Sequence, residues 1–194
     1  MIFNVIKIPK GGLKLERGKT ALIVIDIQDV LMKQMDQEVA RKTIKNIKTM
    51  INFAKEMGIP ILLTEQYPKG LGRTIKEIQS ELEPITPIEK LSFSCCGENS
   101  FNEKLKGLCK KYIIITGIET HVCILQTTND LLEKGYEVHV VADAVCSRRK
   151  LDWEIALRWM EKKGAIISTT EIIAFQLLKE AGTEEFRHLS KLLK

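Results

Sequence analysis

The sequence predicts an α/β protein whose sheet of about six mainly parallel strands is doubly wound in three layers, with helices on both faces in a Rossmann-like arrangement. Short apolar runs rich in β-branched residues alternate with longer amphipathic segments, as in a parallel sheet covered on both sides. Three amphipathic segments stop at a glycine, namely Gly58, Gly135 and Gly164, where helices commonly end. The chain has 194 residues, of which 44% are hydrophobic and 28% charged, and this predicts one globular domain over residues 1–194.

Each element is predicted from its own pattern, in chain order. Apolar, β-branched runs predict strands at residues 20–27, 60–65, 88–91, 112–118, 137–143 and 165–169. Amphipathic periodicity predicts helices at residues 38–57, 100–111, 120–134 and 151–163. Ser100 and Glu103 have the spacing of a capping box at the start of the second helix. No repeat, linker or low-complexity tract separates these elements, so no second domain is expected.

The charge pattern excludes several classes of partner. The net charge is +5, and Lys and Arg alternate with Glu along the helical segments, as on solvated faces. The densest basic cluster, residues 148–150, is smaller than the basic face that nucleic acids require. No G-x-G-x-x-G motif follows a strand, and no apolar stretch approaches the roughly 20 residues of a membrane span. No nucleic-acid, dinucleotide or membrane partner is therefore expected.

The cysteines predict a reduced, cytoplasmic protein. There are five, an odd number, with no C-x-x-C pair and no histidine at a zinc-like offset from two of them. The N-terminus also lacks the apolar segment of a signal peptide. Cys95, Cys96, Cys109 and Cys146 are interpreted as small apolar side chains without a chemical role.

Cys123 differs from the others because of the sequence around it, YIIITGIETHVCI at residues 112–124. A buried-strand run ends at Gly117 and an amphipathic segment follows, which places Cys123 in the first turn of a helix at the carboxyl end of a strand. The unpaired N–H groups and positive dipole end of such a turn favour thiolate over thiol. We therefore predict a reactive thiol, with a small core side chain as the alternative.

Two charged residues end apolar strands. Asp26 closes the strand ALIVID, where a carboxylate is costly unless it is paired or lies in a cleft, and a helix-capping aspartate is the alternative interpretation. Lys90 ends the third strand, and its alternative is a solvated surface lysine. A thiol, a carboxylate that takes its proton and a lysine that stabilises both anions together make a nucleophilic site. Asp26, Lys90 and Cys123 are therefore predicted to meet.

The chain resembles a known family in segments that occur in order over residues 20–175. They are ALIVIDIQD at residues 21–29, Lys90 ahead of LSFS, GIETHVCI at residues 117–124 and VADAVCSR at residues 141–148. These segments are similar to those of the isochorismatase-like cysteine hydrolases, and TEQYPKGLG at residues 64–72 resembles the subgroup of isochorismatase domain-containing hydrolases. The resemblance implies the isochorismatase-like fold, hydrolysis as the activity and assembly into a homo-oligomer.

The resemblance also implies a catalytic triad of Asp26, Lys90 and Cys123. It implies a cis peptide bond between Ile118 and Glu119, with the backbone N–H groups of Glu119 and Cys123 forming an oxyanion hole. Asp26 would take the thiol proton and return it to a leaving amine, Lys90 would hold both anions in register, and water would clear an acyl-enzyme from Cys123. The expected substrate is a small amide, ureide or related carbonyl compound, because a cysteine nucleophile suits cleavage of a C–N bond.

No metal and no other cofactor are expected. The nicotinamidase branch of the family holds a metal with an aspartate and two histidines near its second strand, where this chain has Glu65, Gln66 and Tyr67. The histidines of this chain lie elsewhere, at positions 121, 139 and 188. This departure argues against a nicotinamidase and for a metal-independent hydrolase.

Six residues near the inferred strand ends are candidates for binding substrate, with loop packing or capping as the open alternative: Gln28, Gln66, Tyr67, Phe93, Ile118 and His121. The apolar helix at residues 170–178, joined by Trp153 or Trp159, predicts the contact surface of a homo-oligomer. Two rival functions stay open. One is a scaffold that binds a partner or metabolite without turnover, and the other is a redox role for Cys123 with Cys146 as the resolving thiol.

Overall fold

One parallel sheet organises the protein, whose computed structural model describes residues 15–193; residues 1–14 and 194 of the predicted domain lie outside the described part. The six strands of this part pair in parallel in the order β3-β2-β1-β4-β5-β6, which confirms the predicted doubly wound sheet. They are β1 (Thr20–Ile25), β2 (Ile61–Gln66), β3 (Ile88–Lys90), β4 (Tyr112–Ile118), β5 (Glu137–Cys146) and β6 (Ile166–Ser168).

Helices cover both faces of the sheet. They are α1 (Asp29–Met32), α2 (Gln37–Glu56), α3 (Pro68–Leu71), α4 (Lys76–Leu82), α5 (Asn99–Gly107), α6 (Leu125–Glu133), α7 (Lys150–Lys163), α8 (Thr170–Leu178) and α9 (Glu184–Leu189). Within the described residues, none is long and apolar enough to span a membrane. The capping box predicted from Ser100 and Glu103 is wrong, because α5 already begins at Asn99 and its N-cap residue, Glu98, makes no side-chain cap.

The sheet is buried on both faces, which explains its uninterrupted apolar strands. In β1, Leu22 and Val24 face one side and pack with α2, α4, α8 and α9. Ile23 and Ile25 face the other side and pack with α5, α6 and α7. Each of these side chains is fully buried, which stabilises the fold by about 1.5 to 3 kcal/mol per side chain. A charged residue at the end of such a strand therefore lies next to apolar layers on both sides.

The order of the strands reverses between β1 and β4, where open α/β sheets form a crevice at their carboxyl edge. The chain continues from β1 to β2 and β3 at one lateral edge of the sheet, and from β4 to β5 and β6 at the other edge. Asp26 directly follows β1, Lys90 is the last residue of β3, and Cys123 lies shortly beyond the end of β4. The fold therefore brings the residues predicted to meet to one edge of the sheet.

Gly117 lets β4 pass against β1 where no side chain fits. It has a φ of +125°, and a β-carbon added to it would lie 2.1 Å from the carbonyl oxygen of Ile25 and 2.6 Å from its nitrogen. The register between β4 and β5 shifts between Ile115 and Gly117, and pairing then resumes. For this reason β5 extends to Cys146, which pairs with Ile118, rather than ending at residue 143 as predicted.

Gly117→Ala should destabilise the fold by more than about 4 kcal/mol. The added methyl group would clash with the β1 backbone, and the positive φ at this position is one that alanine rarely adopts. Gly135→Ala is the matched control: Gly135 also has a positive φ, +86°, but has open space around the added carbon. Its cost should be about 1 to 2 kcal/mol. Urea unfolding followed by circular dichroism measures both losses. Equal losses would contradict the close approach at Gly117.

His139 is a buried titratable group in β5, with 2% of its surface exposed, and burial lowers the pKa of His139 to about 4. The unfolded chain takes up this proton near pH 6.5, whereas the folded chain takes it up only near pH 4. The neutral ring thus stabilises the fold fully above pH 6.5, and the free energy of unfolding should fall as pH drops from 6.5 toward 4.

His139→Phe should therefore remove roughly 2 to 3 kcal/mol of the stability loss between about pH 7.5 and about pH 4.5, as measured by urea unfolding at both values. The idea fails if the parent and His139→Phe proteins lose the same stability on acidification.

Candidate active site

Asp26 lies at the centre of a buried polar cluster. It follows β1 with a left-handed φ of +52°, and its side chain is fully buried. Its Oδ1 accepts a hydrogen bond from Thr64 Oγ1 at 2.7 Å, and its Oδ2 accepts one from Lys90 Nζ at 2.7 Å. Gln28 occupies the position before α1. The interpretation of Asp26 as a helix cap is therefore wrong.

Lys90 is the cation of this cluster, and its side chain is fully buried as well. Besides Asp26, its Nζ donates to Gln66 Oε1 at 2.7 Å and to the carbonyl oxygens of Phe93 at 3.1 Å and Ser92 at 3.3 Å. Burial disfavours the charge, but the Asp26 carboxylate and the neighbouring thiols more than offset burial, so the pKa of Lys90 is raised. Lys90 is thus a buried ammonium and not a solvated surface lysine.

Cys123 completes the cluster from the end of β4. The peptide bond between Ile118 and Glu119 is cis, and one π-helical turn, Thr120–Ile124, carries Cys123 ahead of α6. Cys123 is 5% exposed, and its Sγ lies 3.6 Å from Lys90 Nζ. The structure therefore brings together all three residues that were predicted to meet.

The thiol of Cys123 is protonated in this setting. Burial raises the pKa of Cys123, the Asp26 carboxylate raises it further, and Lys90 lowers it by less than these two raise it. The prediction that a helix end favours the thiolate is wrong, because the dipole of a single turn does not offset lost hydration and a neighbouring carboxylate. Lys90 Nζ contacts both the Asp26 carboxylate and the thiol sulfur, so the carboxylate is close enough to the thiol to raise its pKa and to be its proton acceptor.

Two glutamines brace the cluster. The amide of the fully buried Gln28 donates to the carbonyl oxygens of Gln66 at 2.9 Å and Gly72 at 2.6 Å, and it accepts from the Gln66 N–H at 2.6 Å. Gln28 therefore fixes backbone and does not line a pocket as predicted. Gln66 Nε2 donates to the Leu91 carbonyl at 2.7 Å, and its Oε1, which holds Lys90, lies 4.0 Å from the thiol sulfur. Gln66 thus belongs to the cluster itself.

Two exposed aromatic residues flank the cluster. Tyr67 is 50% exposed, and its N–H donates to the Lys90 carbonyl at 2.9 Å; Phe93 is 54% exposed. Both stand at the surface next to Lys90, where residues lining an entrance would stand. Ile118 differs, because its side chain is fully buried in the apolar layer on the sheet face opposite to that of Cys123. The side chain of Ile118 therefore does not line a pocket, contrary to the prediction.

A second polar group lies on the turn that carries Cys123. Glu119 accepts a hydrogen bond from Arg148 Nε at 3.0 Å, and its carboxylate lies 3.7 Å from His121 Nδ1. His121 Nδ1 also lies 3.0 Å from Ser147 Oγ. These contacts tie the turn to the residues that follow β5.

Sequence reasoning missed Thr64, Ser147 and Arg148. Thr64 stands in a strand, where threonine is common, so its residue type carries no signal. Arg148 is recognisable only as part of a basic loop, since its carboxylate partner lies 29 residues away in the sequence. Contacts of this kind become visible only when the register of β4 and β5 is known.

The segment compared with the nicotinamidase metal site has another use in this protein. Glu65 accepts hydrogen bonds from the Thr74 N–H at 2.7 Å, from the Thr74 hydroxyl at 2.8 Å and from Arg73 at 2.9 Å. Across residues 15–193, no group of three or more His, Cys, Asp and Glu side chains is arranged to hold a metal ion. Glu65 thus secures the chain after β2.

Cys146 cannot serve as the resolving thiol for Cys123. Its side chain packs in the apolar layer with α2, whereas Cys123 packs in the layer on the other face of the sheet. The sheet separates the two sulfur atoms, so the redox alternative built on this pair is wrong.

Comparisons with known proteins agree with the fold and the site. The family model for the isochorismatase domain matches residues 20–172. Isochorismatase family protein 1A of Dictyostelium discoideum is 45% identical over 149 residues, which cover 75% of this chain and 72% of that protein. The solved structure of MAR1 ribonuclease from Caenorhabditis elegans is 36% identical with a TM-score of 0.86, over 93% of this chain and 92% of that one.

A further likeness concerns the fold alone. The Escherichia coli YcaC gene product, an octameric hydrolase of unknown specificity, is 22% identical with a TM-score of 0.86, over 93% of this chain and 89% of its own. Fold and cluster together define an α/β protein with a cysteine-centred site at the carboxyl edge of its sheet. The chain belongs to the isochorismatase family, which confirms the resemblance seen in the sequence.

Asp26→Asn should move the alkylation of Cys123 by iodoacetamide to lower pH. Alkylation needs the thiolate, and loss of the carboxylate removes one of the causes that raise the thiol pKa. Asparagine keeps the size of the side chain and tolerates the left-handed backbone at this position. Peptide mass spectrometry after alkylation between about pH 6 and about pH 10 gives the rates.

The exposed Cys109 is an internal control in the same samples, and its alkylation profile should be identical in both proteins. A Cys123 profile that stays in place or moves to higher pH in Asp26→Asn would show that the carboxylate does not act on the thiol.

Proposed function

We propose that the protein is a metal-independent cysteine hydrolase that cleaves a C–N bond of a small amide, ureide or related carbonyl compound. The observation that carries the proposal is the position of Lys90 Nζ, 2.7 Å from Asp26 Oδ2 and 3.6 Å from Cys123 Sγ in a buried cluster. One ammonium thus serves a proton acceptor and a nucleophile at the same time. Membership of the isochorismatase family supports hydrolysis as the reaction class.

Acylation begins when Asp26 takes the thiol proton while the sulfur of Cys123 attacks the carbonyl carbon of the substrate. The carbonyl oxygen becomes an oxyanion, which the backbone N–H groups of Glu119 and Cys123 stabilise. The C–N bond then breaks, and Asp26 gives its proton to the leaving nitrogen. Lys90 stays beside Asp26 and the sulfur of Cys123 and compensates the negative charge whenever either of these groups carries it.

Deacylation uses the same groups in reverse order. A water molecule attacks the thioester carbonyl, and Asp26 accepts one of its protons. The C–S bond breaks, the sulfur takes the proton back from Asp26, and the carboxylic acid product leaves. The thiol and the carboxylate are then in their initial states, ready for another substrate.

A small substrate suits the enclosure of the reacting atoms. Cys123 is 5% exposed, and the side chains of Asp26 and Lys90 are fully buried. Tyr67 and Phe93 present planar, apolar surface beside the cluster, which favours a flat carbonyl compound. The name of the C. elegans relative makes RNA a substrate to test, but a phosphodiester within a polynucleotide would have to reach an almost fully buried sulfur.

We also propose that the protein is a cytoplasmic homo-oligomer. The sequence-predicted contact helix, α8, exposes Ile172 by 49% and Phe175 by 46%. A second copy packed on such a surface would remove it from water. The octameric state of the E. coli neighbour supports assembly, and the free cysteines support a reducing compartment.

Turnover of a panel of small amides and ureides, followed as release of ammonia or amine, tests the proposed reaction. Cys123→Ser, Asp26→Asn and Lys90→Met should each lower kcat by about 100-fold or more, because each removes the nucleophile, the proton acceptor or the cation. Circular dichroism checks that each variant is folded. Arg73→Met is the control for loss of a cation, since Arg73 is 63% exposed, pairs with Glu65 and Glu89 outside the cluster, and its replacement should keep turnover.

Four outcomes would contradict the proposal. Turnover that survives Cys123→Ser would place the chemistry elsewhere, and turnover that disappears on dialysis against a chelator would require a metal. RNA cleavage abolished by Cys123→Ser, without amide turnover, would assign the cluster to phosphodiester chemistry. A folded protein that binds members of the panel and turns over none would favour the binding scaffold.

A further inference from the structure

A cavity of about 690 Å³ lies between α2, the end of β5 and the start of α7. We call it the α2–β5 groove, and the residues that matter for its chemistry are Val39, Asn46, Ala142, Val145, Arg148 and Trp153. Its volume is that of a small-molecule site. None of the three residues of the buried cluster lines it, so the groove is a separate feature of the protein.

The walls of the groove are held in place by the protein itself. Asn46 Nδ2 donates to the carbonyl oxygen of Asp143 at 2.7 Å and joins α2 to β5. Trp153 Nε1 donates to the carbonyl oxygens of Ala142 at 3.3 Å and Val145 at 3.2 Å and joins α7 to β5. Because these contacts fix the groove without a ligand, binding would cost little ordering.

Apolar side chains give the groove an exposed hydrophobic surface, whose contact with water is unfavourable. Val39 on α2 is 45% exposed, although it belongs to an otherwise core-facing pattern. Trp153 stands across from it on α7 with its indole nitrogen already satisfied, so the ring offers its apolar face. An occupant with an apolar body would remove both side chains from water.

Four cationic and two acidic residues stand on the rim of the groove: Lys42, Lys45, Arg148, Lys150, Asp36 and Asp143. Lys42 pairs with Glu38 at 2.6 Å and Lys150 with Glu154 at 3.7 Å, so the cation of interest is Arg148. Both carboxylates are used inside the fold. Asp36 accepts from two N–H groups at the start of α2, and Asp143 accepts from the Thr170 N–H at 2.8 Å and hydroxyl at 3.0 Å. Arg148 binds Glu119 through Nε alone, and within the described residues its terminal nitrogens bond to nothing.

We propose that the α2–β5 groove binds a small amphipathic anion. The apolar body of this ligand packs between Val39 and Trp153, and its carboxylate, sulfonate or phosphate group meets the terminal nitrogens of Arg148, which suit a planar or branched oxyanion. The unbonded end of this guanidinium gives the site its preference for an anion. This site does not depend on the proposed hydrolysis.

A second surface combines the same residue types without the same geometry. Ile155, Trp159 and Arg158 lie together on the outer face of α7, but all come from one helix, and no second element forms an opposing wall. This surface therefore provides a control for adhesion of an aromatic anion to any apolar and basic patch.

Fluorescence titration with anilinonaphthalene sulfonate, an aromatic anion, tests the proposal on the full chain. Val39→Glu should raise the Kd at least about tenfold, because a carboxylate replaces apolar surface and repels the sulfonate. Ile155→Glu introduces the same change on the outer face of α7 and should leave the main binding phase unchanged. Phenylnaphthylamine, the uncharged analogue, should bind the parent protein at least about tenfold more weakly, since it lacks the anion.

The outcomes separate the possible occupants. Unchanged affinity in Val39→Glu, or a loss of the same size in Ile155→Glu, would overturn the site. Equal affinity for the charged and uncharged dyes would overturn its preference for anions. Light scattering completes the test: if Val39→Glu splits an assembly that Ile155→Glu leaves intact, the groove is a contact between copies of this chain and the proposal is wrong.

Discussion

The ion pair between Lys90 and Asp26 is the interaction on which the rest of the site depends. Removing two charges from water costs several kcal/mol per ion, and their attraction offsets this only when further hydrogen bonds satisfy both groups. Thr64 fills one oxygen of the carboxylate, while Gln66 and two carbonyl oxygens share the ammonium. Such a pair is weak support for stability, and its value to the protein is a fixed positive charge beside a thiol.

Buried side-chain hydrogen bonds, in addition to the strands, hold the charged groups of the site in position. Gln28 fastens the end of β2 to the backbone at Gly72, and Glu65 fastens the same stretch through Thr74. Gln66, between these two attachments, therefore keeps its amide on Lys90. A chain of buried polar contacts thus leads from α1 to the ammonium, and each member is satisfied by the next.

The role of some site residues could be predicted from the sequence, and the role of others could not. Asp26 was predictable because a single carboxylate ends a wholly apolar strand, and such a residue needs a partner. The protonation of Cys123 was not, because its direction depends on burial and on a carboxylate that only the assembled sheet brings near. Gln28 shows a third case: its residue type suits a pocket as well as a brace, and only the positions of the Gln66 and Gly72 backbones decide between them.

Lys90 reaches the site from an edge of the sheet. β3 has three residues, lies at the edge and pairs only with β2. Short edge strands open at a lower free energy than central strands such as β1 and β4. When β3 separates from β2, water reaches the ammonium of Lys90, and the carboxylate of Asp26 and the thiol of Cys123 lose their common counterion. Both apolar layers stay packed during this local opening. We therefore expect heating to disrupt the buried cluster before the two apolar layers unfold.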